Sequence, residues 1–260
     1  MIIQIKRAVS KILKNFFLKL YQDDTKKLFN FFYKNLSKNK NLNKNKLIFF
    51  DVGAHKGETI TRFKKYFNKN NLLEIHCFEP NKKLADILKD QNFKNVKIND
   101  YLLLDKINYE NNFYSMSKSG ASSVFKPEEE WLEMKKKKTN KEISYTLELV
   151  RSDTIDNYCS TNNIDNIDFL KIDTQGSEKN VLMGGSEMIN KRKINFIEVE
   201  IILGQYYETE TSFLQIESTL NNNYNLVLVD KMINLLRDKT SYINCLYMRK
   251  DYFSRLKYEK

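Results

Sequence analysis

The 260-residue chain is long enough for one large α/β domain, and its 41% hydrophobic and 13% aromatic content excludes a wholly disordered protein. Its net charge of +11 arises from lysines scattered along the whole chain, and no recognition helix, zinc finger or aromatic RNA-binding signature accompanies it, so no nucleic-acid partner is predicted. Cys77, Cys159 and Cys245 are odd in number and far apart, which excludes a disulfide framework and fits the cytoplasm.

The first 46 residues predict an N-terminal arm that ends in the polar connector "KNKNLNKNK". Its apolar residues recur at the spacing of an amphipathic helix with basic side chains on the other faces: Ile5, Val9, Ile12, Phe16 and Leu20. The segment carries too much charge to span a bilayer, and it lacks the features of a signal peptide. Three surfaces could receive this helix, namely the protein's own body, a partner subunit, or peripherally the anionic inner face of a membrane. The sequence leaves the oligomeric state open.

The main domain is predicted at 47–260 and opens with alternating strands and helices. Apolar runs at "LIFF", "LEIHCF" and "NVKI" read as strands, and the segments at 58–68 and 81–91 between them have helical patterns. This βαβαβ order predicts a parallel sheet with helices on both faces.

An insert at about 101–150 interrupts the alternation. The segments "NNFYSM" and "SYTLELV" read as paired strands on either side of the charged "KPEEEWLEMKKKKTNK", which predicts a hairpin with a cap. Beyond the insert, helices are predicted at 154–162, 177–190 and 211–220, and strands at 167–173, 195–201, 224–229 and 243–248.

Three predicted strands end in acids, namely Asp51, Glu79 and Asp173. Ligands of open α/β sheets bind outside the carboxyl ends of the strands, so these acids are expected to share a site. Gly53 and Gly57 allow a tight turn after the first strand, and Glu79 is placed to accept the hydroxyls of a ribose. A carboxylate at Asp51 would repel a pyrophosphate but favour a cation, which suits S-adenosylmethionine better than NAD.

At these residues the sequence resembles the FkbM-type S-adenosylmethionine-dependent methyltransferases. The stretches that carry the resemblance are "DVGAHKGET", "CFEPN", "GASSV", "FLKIDTQGSEKNVLMGG" and "FIEVEIILGQYY". They occur in family order between about 47 and 249. The resemblance implies a class I methyltransferase fold, a Rossmann-like three-layer sandwich whose mostly parallel seven-stranded sheet contains one antiparallel strand.

The resemblance also implies a set of cofactor-binding residues around the loop after the first strand. This set comprises Asp51, Val52, Gly53, Ala54, Gly57, Glu79, Pro80, Asp100, Tyr101 and Asp173. Within it, Glu79 would bind the ribose, and Asp100 and Tyr101 are candidates for an adenine contact. Many relatives have Glu where this chain has Gln175, whose amide cannot serve as a base.

Methyl transfer to oxygen requires alignment of the acceptor and a base that removes its proton. The candidate catalytic residues are Asp173, Glu200 and His55, with Glu178 as a further candidate base. Asp173 and Glu200 could begin a divalent-metal site, but nothing in the sequence completes it and no metal is predicted.

The sequence therefore predicts an O-methyltransferase that acts on a hydroxyl of a small molecule or glycan, such as a sugar of a bacterial surface polysaccharide or a glycosylated metabolite. The acceptor pocket is expected to contain Ser122, Ser123, Trp131, Tyr206 and Tyr207. The alternatives are an N- or small-molecule methyltransferase of the same fold, a NAD-binding oxidoreductase, and a non-catalytic scaffold that docks on membrane.

Overall fold

A computed structural model describes residues 46–67, 73–117, 119–230 and 242–252. These residues belong to two compact units: one contains Leu47–Thr61 and the chain from Leu73 onward, and the other contains Lys46 and residues 62–67. The predicted amphipathic arm lies outside the described residues, so this arm and its boundary at residue 46 stay predictions. Across the ranges described, no helix is long and apolar enough to cross a membrane.

A seven-stranded sheet forms the framework, with strand order β3-β2-β1-β7-β8-β10-β9. The strands are β1 (Leu47–Val52), β2 (Leu73–Phe78), β3 (Val96–Asn99), β7 (Ile167–Ile172), β8 (Ile194–Ile202), β9 (Tyr224–Asp230) and β10 (Tyr242–Arg249). All pairings are parallel except those of β10, which is antiparallel to both neighbours. The predicted class I methyltransferase sheet is confirmed, including its single antiparallel strand.

Helices alternate with these strands as the sequence predicts, and one further helix, α3, lies in the insert. They are α1 (Glu58–Phe67), α2 (Lys82–Asp90), α3 (Glu129–Thr139), α4 (Ile155–Thr161), α5 (Glu178–Met183), α6 (Ser186–Asn190) and α7 (Phe213–Leu220). Side-chain caps fix several starts. Asn81 accepts a hydrogen bond from the Leu84 amide before α2, and Ser212 forms a capping box with Gln215 at α7.

The core lies between the sheet and α4 to α7. Phe50, Leu170 and Ile197, from three adjacent central strands, are fully buried and belong to one apolar cluster with residues of these helices. Central parallel strands are covered on both faces, which explains their continuous apolar runs. Each such side chain contributes about 1.5–3 kcal/mol on burial. Among the buried polar groups, Asp51 and Glu79 lie at the carboxyl ends of strands, whereas His76 lies within β2.

One predicted helix is wrong as drawn, because the segment 177–190 forms two short helices rather than one. The break falls at Gly184 and Gly185. A Cβ at Gly184 would lie 1.9 Å from the backbone oxygen of Leu104, so the chain passes too close to the insert for any side chain. This close approach is a tertiary contact that helical periodicity cannot reveal.

The insert forms a second, three-stranded sheet of order β4-β6-β5, from β4 (Leu102–Leu103), β5 (Asn108–Met116) and β6 (Tyr145–Asp153). β5 and β6 are antiparallel, which confirms the predicted hairpin, and α3 lies between them in sequence. Trp131 of α3 packs with Met116 and Ala121 in a small core of its own. The charged segment between the strands is thus a folded element rather than a loop.

Candidate active site

A cleft of about 510 Å³ opens at the carboxyl ends of β1, β2, β7 and β8, and the insert contributes to its lining. The order of the sheet reverses between β1 and β7, and ligands of such sheets bind at that point. From the sheet side the cleft is lined by Val52, Gly53, Ala54, His55, Glu79, Pro80, Lys171, Asp173, Gln175 and Glu200. Three of the predicted base candidates, Asp173, Glu200 and His55, are therefore brought together.

The loop after β1 is locked between its neighbouring strands. The amides of Gly53 and Ala54 donate to the Phe78 oxygen at 2.9 and 3.2 Å, and the Asp173 amide donates to the Val52 oxygen at 2.9 Å. Gly53 has φ +84°, and a Cβ there would lie 1.9 Å from the Asp173 backbone oxygen. Only glycine fits, so the backbone itself forms this wall of the cleft.

Glu79 is held by two backbone amides. Its Oε2 accepts from the His55 amide at 2.7 Å, and its Oε1 accepts from the Asn81 amide at 2.9 Å. Burial raises the pKa of Glu79 to about 7 although both hydrogen bonds oppose the shift. Each carboxylate oxygen has a second lone pair, so the fixed side chain retains capacity to accept hydroxyl donors from a ligand.

Asp51 is fully buried beneath the loop and has a lysine beside it. Lys171 Nζ lies 3.5 Å from Asp51 Oδ1 and 3.2 Å from Asp173 Oδ2. The positive charge near Asp51 was expected to come from a ligand, whereas Lys171 of the chain itself supplies one. Lys171, rather than Asp51, lines the cleft.

Gln175 connects the two acids of the cleft. Its Nε2 donates to Asp173 Oδ1 at 2.9 Å and to Glu200 Oε1 at 3.1 Å. Burial would raise the pKa of Asp173, but Lys171 and the hydrogen bond from Gln175 outweigh it and the pKa is lowered. Burial, followed by repulsion from Asp173, raises the pKa of Glu200 to about 8. One acid is therefore held ionised while its neighbour is protonated at neutral pH.

The backbone and the side chain of His55 have different roles in the cleft. It is in the left-handed region, with φ 49°, and its amide holds Glu79. The half-buried imidazole lines the cleft, with Nδ1 3.6 Å from Glu58 Oε2.

The insert and the loop after β8 together supply aromatic side chains to the cleft. The Trp131 and Tyr206 rings are stacked at 5.4 Å with an interplanar angle of 27°. Lys135 Nζ lies 5.7 Å from the Trp131 ring centroid, and Ser122 is also in the lining. These side chains line the same cleft as the acids at the strand ends.

The FkbM methyltransferase domain family matches residues 51–227, which is more than half of the chain. The chain belongs to this family. No curated protein sequence matches it significantly.

Solved structures similar to this FkbM methyltransferase include an FkbM methyltransferase of Methylobacillus flagellatus, with 16% identity, a TM-score of 0.47, and coverage of 78% of this chain but 43% of that one. A second is a SAM-dependent methyltransferase of Aquifex aeolicus, with 10% identity, a TM-score of 0.38, and coverage of 82% and 89%. A third is 1,6-didemethyltoxoflavin-N1-methyltransferase of Burkholderia thailandensis, with 8% identity, a TM-score of 0.40, and coverage of 94% and 89%. This chain thus spans less than half of the Methylobacillus protein.

Two candidate residues of the FkbM methyltransferase brace its loops and do not line the cleft. Glu178 Oε1 accepts from the Thr174 amide, the Thr174 hydroxyl and the Gly176 amide at 3.1, 3.1 and 3.0 Å, and burial raises the pKa of Glu178 to about 7. Tyr207 donates from its hydroxyl to the Ala121 oxygen at 2.8 Å. These contacts hold the loop after β7 and the turn at 119–121.

The two candidates for the adenine contact separate in the structure. Tyr101 lines the cleft, with the Arg151 guanidinium carbon 4.0 Å from its ring centroid. Asp100 lies outside the lining and pairs with Lys89 at 2.9 Å, which lowers its pKa. Gly57 also lies outside the lining. Its backbone oxygen accepts a hydrogen bond from the Thr61 amide near the start of α1. Of the two candidates, Tyr101 is the better placed to contact an adenine ring.

Sequence reasoning missed two lysines of the site. Lys171 precedes Asp173 by two residues on one strand, so period-two alternation places them on the same face and could have revealed the pair. Lys135 belongs to a run of four lysines in α3 and follows Trp131 by four residues, a helical spacing that places the two side chains on one face. Within the described ranges, no three His, Cys, Asp or Glu side chains are grouped to hold a metal ion.

Proposed function

We propose that this methyltransferase transfers a methyl group to a hydroxyl of its acceptor, with Glu200 as the general base. The observation that supports this proposal is the bridge through Gln175, which places a low-pKa acid and a raised-pKa acid side by side in the cleft. A base with a pKa near neutrality is matched to removal of a hydroxyl proton.

The residues around the cleft fit S-adenosylmethionine. Glu79 is fixed by two amides with lone pairs left for the ribose hydroxyls, and the Gly53 wall has no side chain to block approach. Asp173 is held ionised where a cationic methionine end would lie. Val52, Ala54 and Pro80 complete the lining around these groups, and Tyr101 offers a ring for adenine.

The cofactor supplies an activated methyl group. With the cofactor bound, the methyl carbon–sulfur bond would break as the acceptor oxygen bonds to that carbon, leaving S-adenosylhomocysteine, and Glu200 would take the proton of the acceptor hydroxyl. Asp173 remains ionised because Lys171 and Gln175 stabilise its charge. Gln175 orients both carboxylates, since its two amide hydrogens each bind a different acid.

The acceptor we infer is a sugar hydroxyl of a glycan or a glycosylated metabolite. Trp131 and Tyr206 provide flat apolar faces in the same cleft as the acids, and Ser122 adds a hydroxyl to the lining. Aromatic faces with a few polar groups are typical of sites that bind sugar rings. Three buried free cysteines fit action in the cytoplasm.

Calorimetric titration with S-adenosylmethionine, S-adenosylhomocysteine and NAD tests the cofactor, with Glu79→Ala as the comparison. We expect the first two to bind and this binding to be lost in the variant. NAD binding, or no binding of any of the three, would contradict the proposal.

The hydroxyl target needs a second experiment. Cofactor turnover is followed with labelled methyl groups over a panel of sugar, amine and small phenolic acceptors, and the products are analysed by mass spectrometry. Glu200→Gln is compared with Glu198→Gln, a neighbour on β8 that lies outside the cleft lining. Methylation at nitrogen, or equal activity of the two variants, would overturn the assignment of Glu200 to a hydroxyl.

A further inference from the structure

The side chain of Asn81 connects the start of α2 to the insert. Its Oδ1 accepts a hydrogen bond from the Leu84 amide at 3.2 Å, and its Nδ2 donates to Ser115 Oγ in β5 at 2.9 Å. Because only the oxygen can accept from the Leu84 amide, the orientation of the side-chain amide is determined. Asn81 is buried, so water competes little for either bond.

The backbone of the same residue holds the carboxylate of Glu79. The Asn81 amide donates to Glu79 Oε1 at 2.9 Å. Pro80 is the one residue between them, and its ring restricts its own φ, so the connection has little freedom. A displacement of Asn81 is therefore transmitted to Glu79 rather than absorbed by the chain.

The residue before Ser115 in β5 leads to the other acids of the cleft. Tyr114 exchanges backbone hydrogen bonds of 2.7 and 3.2 Å with Ser123. The Ser123 hydroxyl donates to the backbone oxygen of Gln175 at 2.7 Å, and the Gln175 side chain binds two acids of the cleft. Adjacent residues of one strand are thus linked to Glu79 and to this pair of acids.

We propose that Asn81 is a positioning residue through which β5 of the insert sets the carboxylate of Glu79 for the ribose hydroxyls of the cofactor. This inference rests on the proposed function, because that function assigns the ribose to Glu79. The insert then has a role besides supplying side chains to the cleft. It aligns the cofactor with the acids that Gln175 binds, and such alignment is a main requirement of methyl transfer.

The experiment compares the affinities of S-adenosylhomocysteine and its 2′,3′-dideoxy analogue, which lacks both ribose hydroxyls. The ratio of the two dissociation constants reports how well Glu79 receives the hydroxyls, whereas a general loosening of the protein weakens both ligands alike. Calorimetry gives both values for the full-length protein. We expect S-adenosylhomocysteine to bind about tenfold or more tightly than the analogue, because hydrogen bonds to a charged acceptor are strong.

Two variants remove the contact from opposite ends. Asn81→Ser keeps a hydroxyl that can cap α2 but is one bond too short to reach Ser115, and Ser115→Ala removes the acceptor. Each should reduce the affinity ratio by about threefold or more, the scale of one neutral hydrogen bond. The double variant should resemble either single variant, because both changes remove the same contact.

Two further variants serve as controls. Ser115→Thr retains the hydroxyl and should keep the affinity ratio of the unmodified protein. Ser117→Ala removes the acceptor for the Ser144 amide within the hairpin and leaves the contact with Asn81 in place, so it should also keep the ratio.

An affinity ratio that is unchanged in Asn81→Ser and Ser115→Ala would overturn the inference. Equal weakening of both ligands would overturn it too, since that result indicates lost packing rather than lost positioning of Glu79. If Asn81→Ser does not fold, Ser115→Ala decides, because it leaves the cap of α2 intact. Failure of the proposed function is a different observation: the unmodified protein then does not bind S-adenosylhomocysteine, or binds it no more tightly than the analogue.

Discussion

The hydroxyl of Ser123 in the insert donates a hydrogen bond of 2.7 Å to the backbone oxygen of Gln175 in the loop after β7. Ser123 is buried, and Gln175 is in the left-handed region with φ 57°. The bond thus supports a backbone conformation that is uncommon for a residue with a side chain. Through this hydrogen bond, the insert helps to position Gln175, whose side chain binds both Asp173 and Glu200.

Ser123→Ala should therefore lower turnover more than it lowers cofactor affinity. The substitution also removes the hydrogen bond that the Ser123 hydroxyl accepts from the Phe125 amide at 3.1 Å, and each buried group left without its partner is expected to reduce the free energy of unfolding by about 1–3 kcal/mol. We expect a several-fold fall in kcat with an unchanged Kd for S-adenosylhomocysteine, measured by steady-state kinetics and calorimetry. Ser117→Ala, at the outer end of the hairpin, is the control. An unchanged kcat would show that the bond does not position Gln175.

The rate of methyl transfer should depend on the ionisation of Glu200. A base acts when deprotonated, and burial together with Asp173 raises the pKa of Glu200 to about 8, so kcat should fall as the pH decreases below that region. The cationic cofactor favours the carboxylate and should move the midpoint below 8. Glu200→Gln should lower kcat by about 10²–10⁴-fold and remove the dependence. If kcat depends on pH in the same way in Glu200→Gln as in the unmodified protein, the general base is a different residue.

Gln175→Glu should shift the same profile toward alkaline pH. The substitution removes two donors and places a third carboxylate between Asp173 and Glu200, and both changes favour the protonated form of Glu200. The measurement is kcat between pH 6 and about 10, with the exposed Gln205→Glu as the charge-matched control. A shift of the kcat profile toward acidic pH would contradict the role of Gln175 as a donor to both acids.

Glu79 and Asp100 should differ sharply in their effect on cofactor affinity. Removal of a carboxylate that accepts hydrogen bonds from ligand hydroxyls is expected to reduce the binding free energy by about 1.5–3 kcal/mol. Glu79→Ala should therefore weaken the binding of S-adenosylhomocysteine by about tenfold or more. Asp100→Asn should leave that affinity unchanged, because Asp100 pairs with Lys89 outside the cleft lining. Calorimetry compares the two variants, and equal weakening would refute the placement of the ribose.

The cofactor-free protein should lose stability as the pH rises from about 5 to 8. Burial raises the pKa of Glu178 from its ordinary 4.5 to about 7, so the folded state binds more protons than the unfolded state across that interval. The stabilisation is complete below 4.5 and is lost as the pH rises through 7. Glu79 and Glu200 act in the same direction.

Denaturant unfolding at pH 5.5 and 8 measures this loss, which amounts to about 1.4 kcal/mol for each unit of pKa difference. Glu178→Gln keeps the oxygen that binds Thr174 and Gly176 but cannot ionise, so it should reduce the pH dependence. The exposed Glu110→Gln should not. Greater stability at pH 8 than at pH 5.5 would show that these acids are not buried in their protonated form.

Much of the fold was predictable because its signals are local. The apolar runs of β1, β2 and β7 mark central parallel strands. The acids that end them were predicted to share a site because ligands bind at the carboxyl ends of such strands. Asp173 was a candidate because it ends a strand, and Glu200 because alternation places it on one face of a strand end. The hairpin of the insert also followed from its alternating residues.

The sequence by itself determined the order of the elements, the family, and the strand ends at which the cleft lies, since each depends on residues that are near one another in the chain. Only the tertiary structure decided how the charges of the cleft are arranged. It placed Lys171 beside Asp51, bound Ser123 to Gln175 and set Lys135 over Trp131 and Tyr206. Except for Lys135 and Trp131, these partners lie dozens of residues apart in sequence, and pKa values and hydrogen bonds depend on distances that only folding sets.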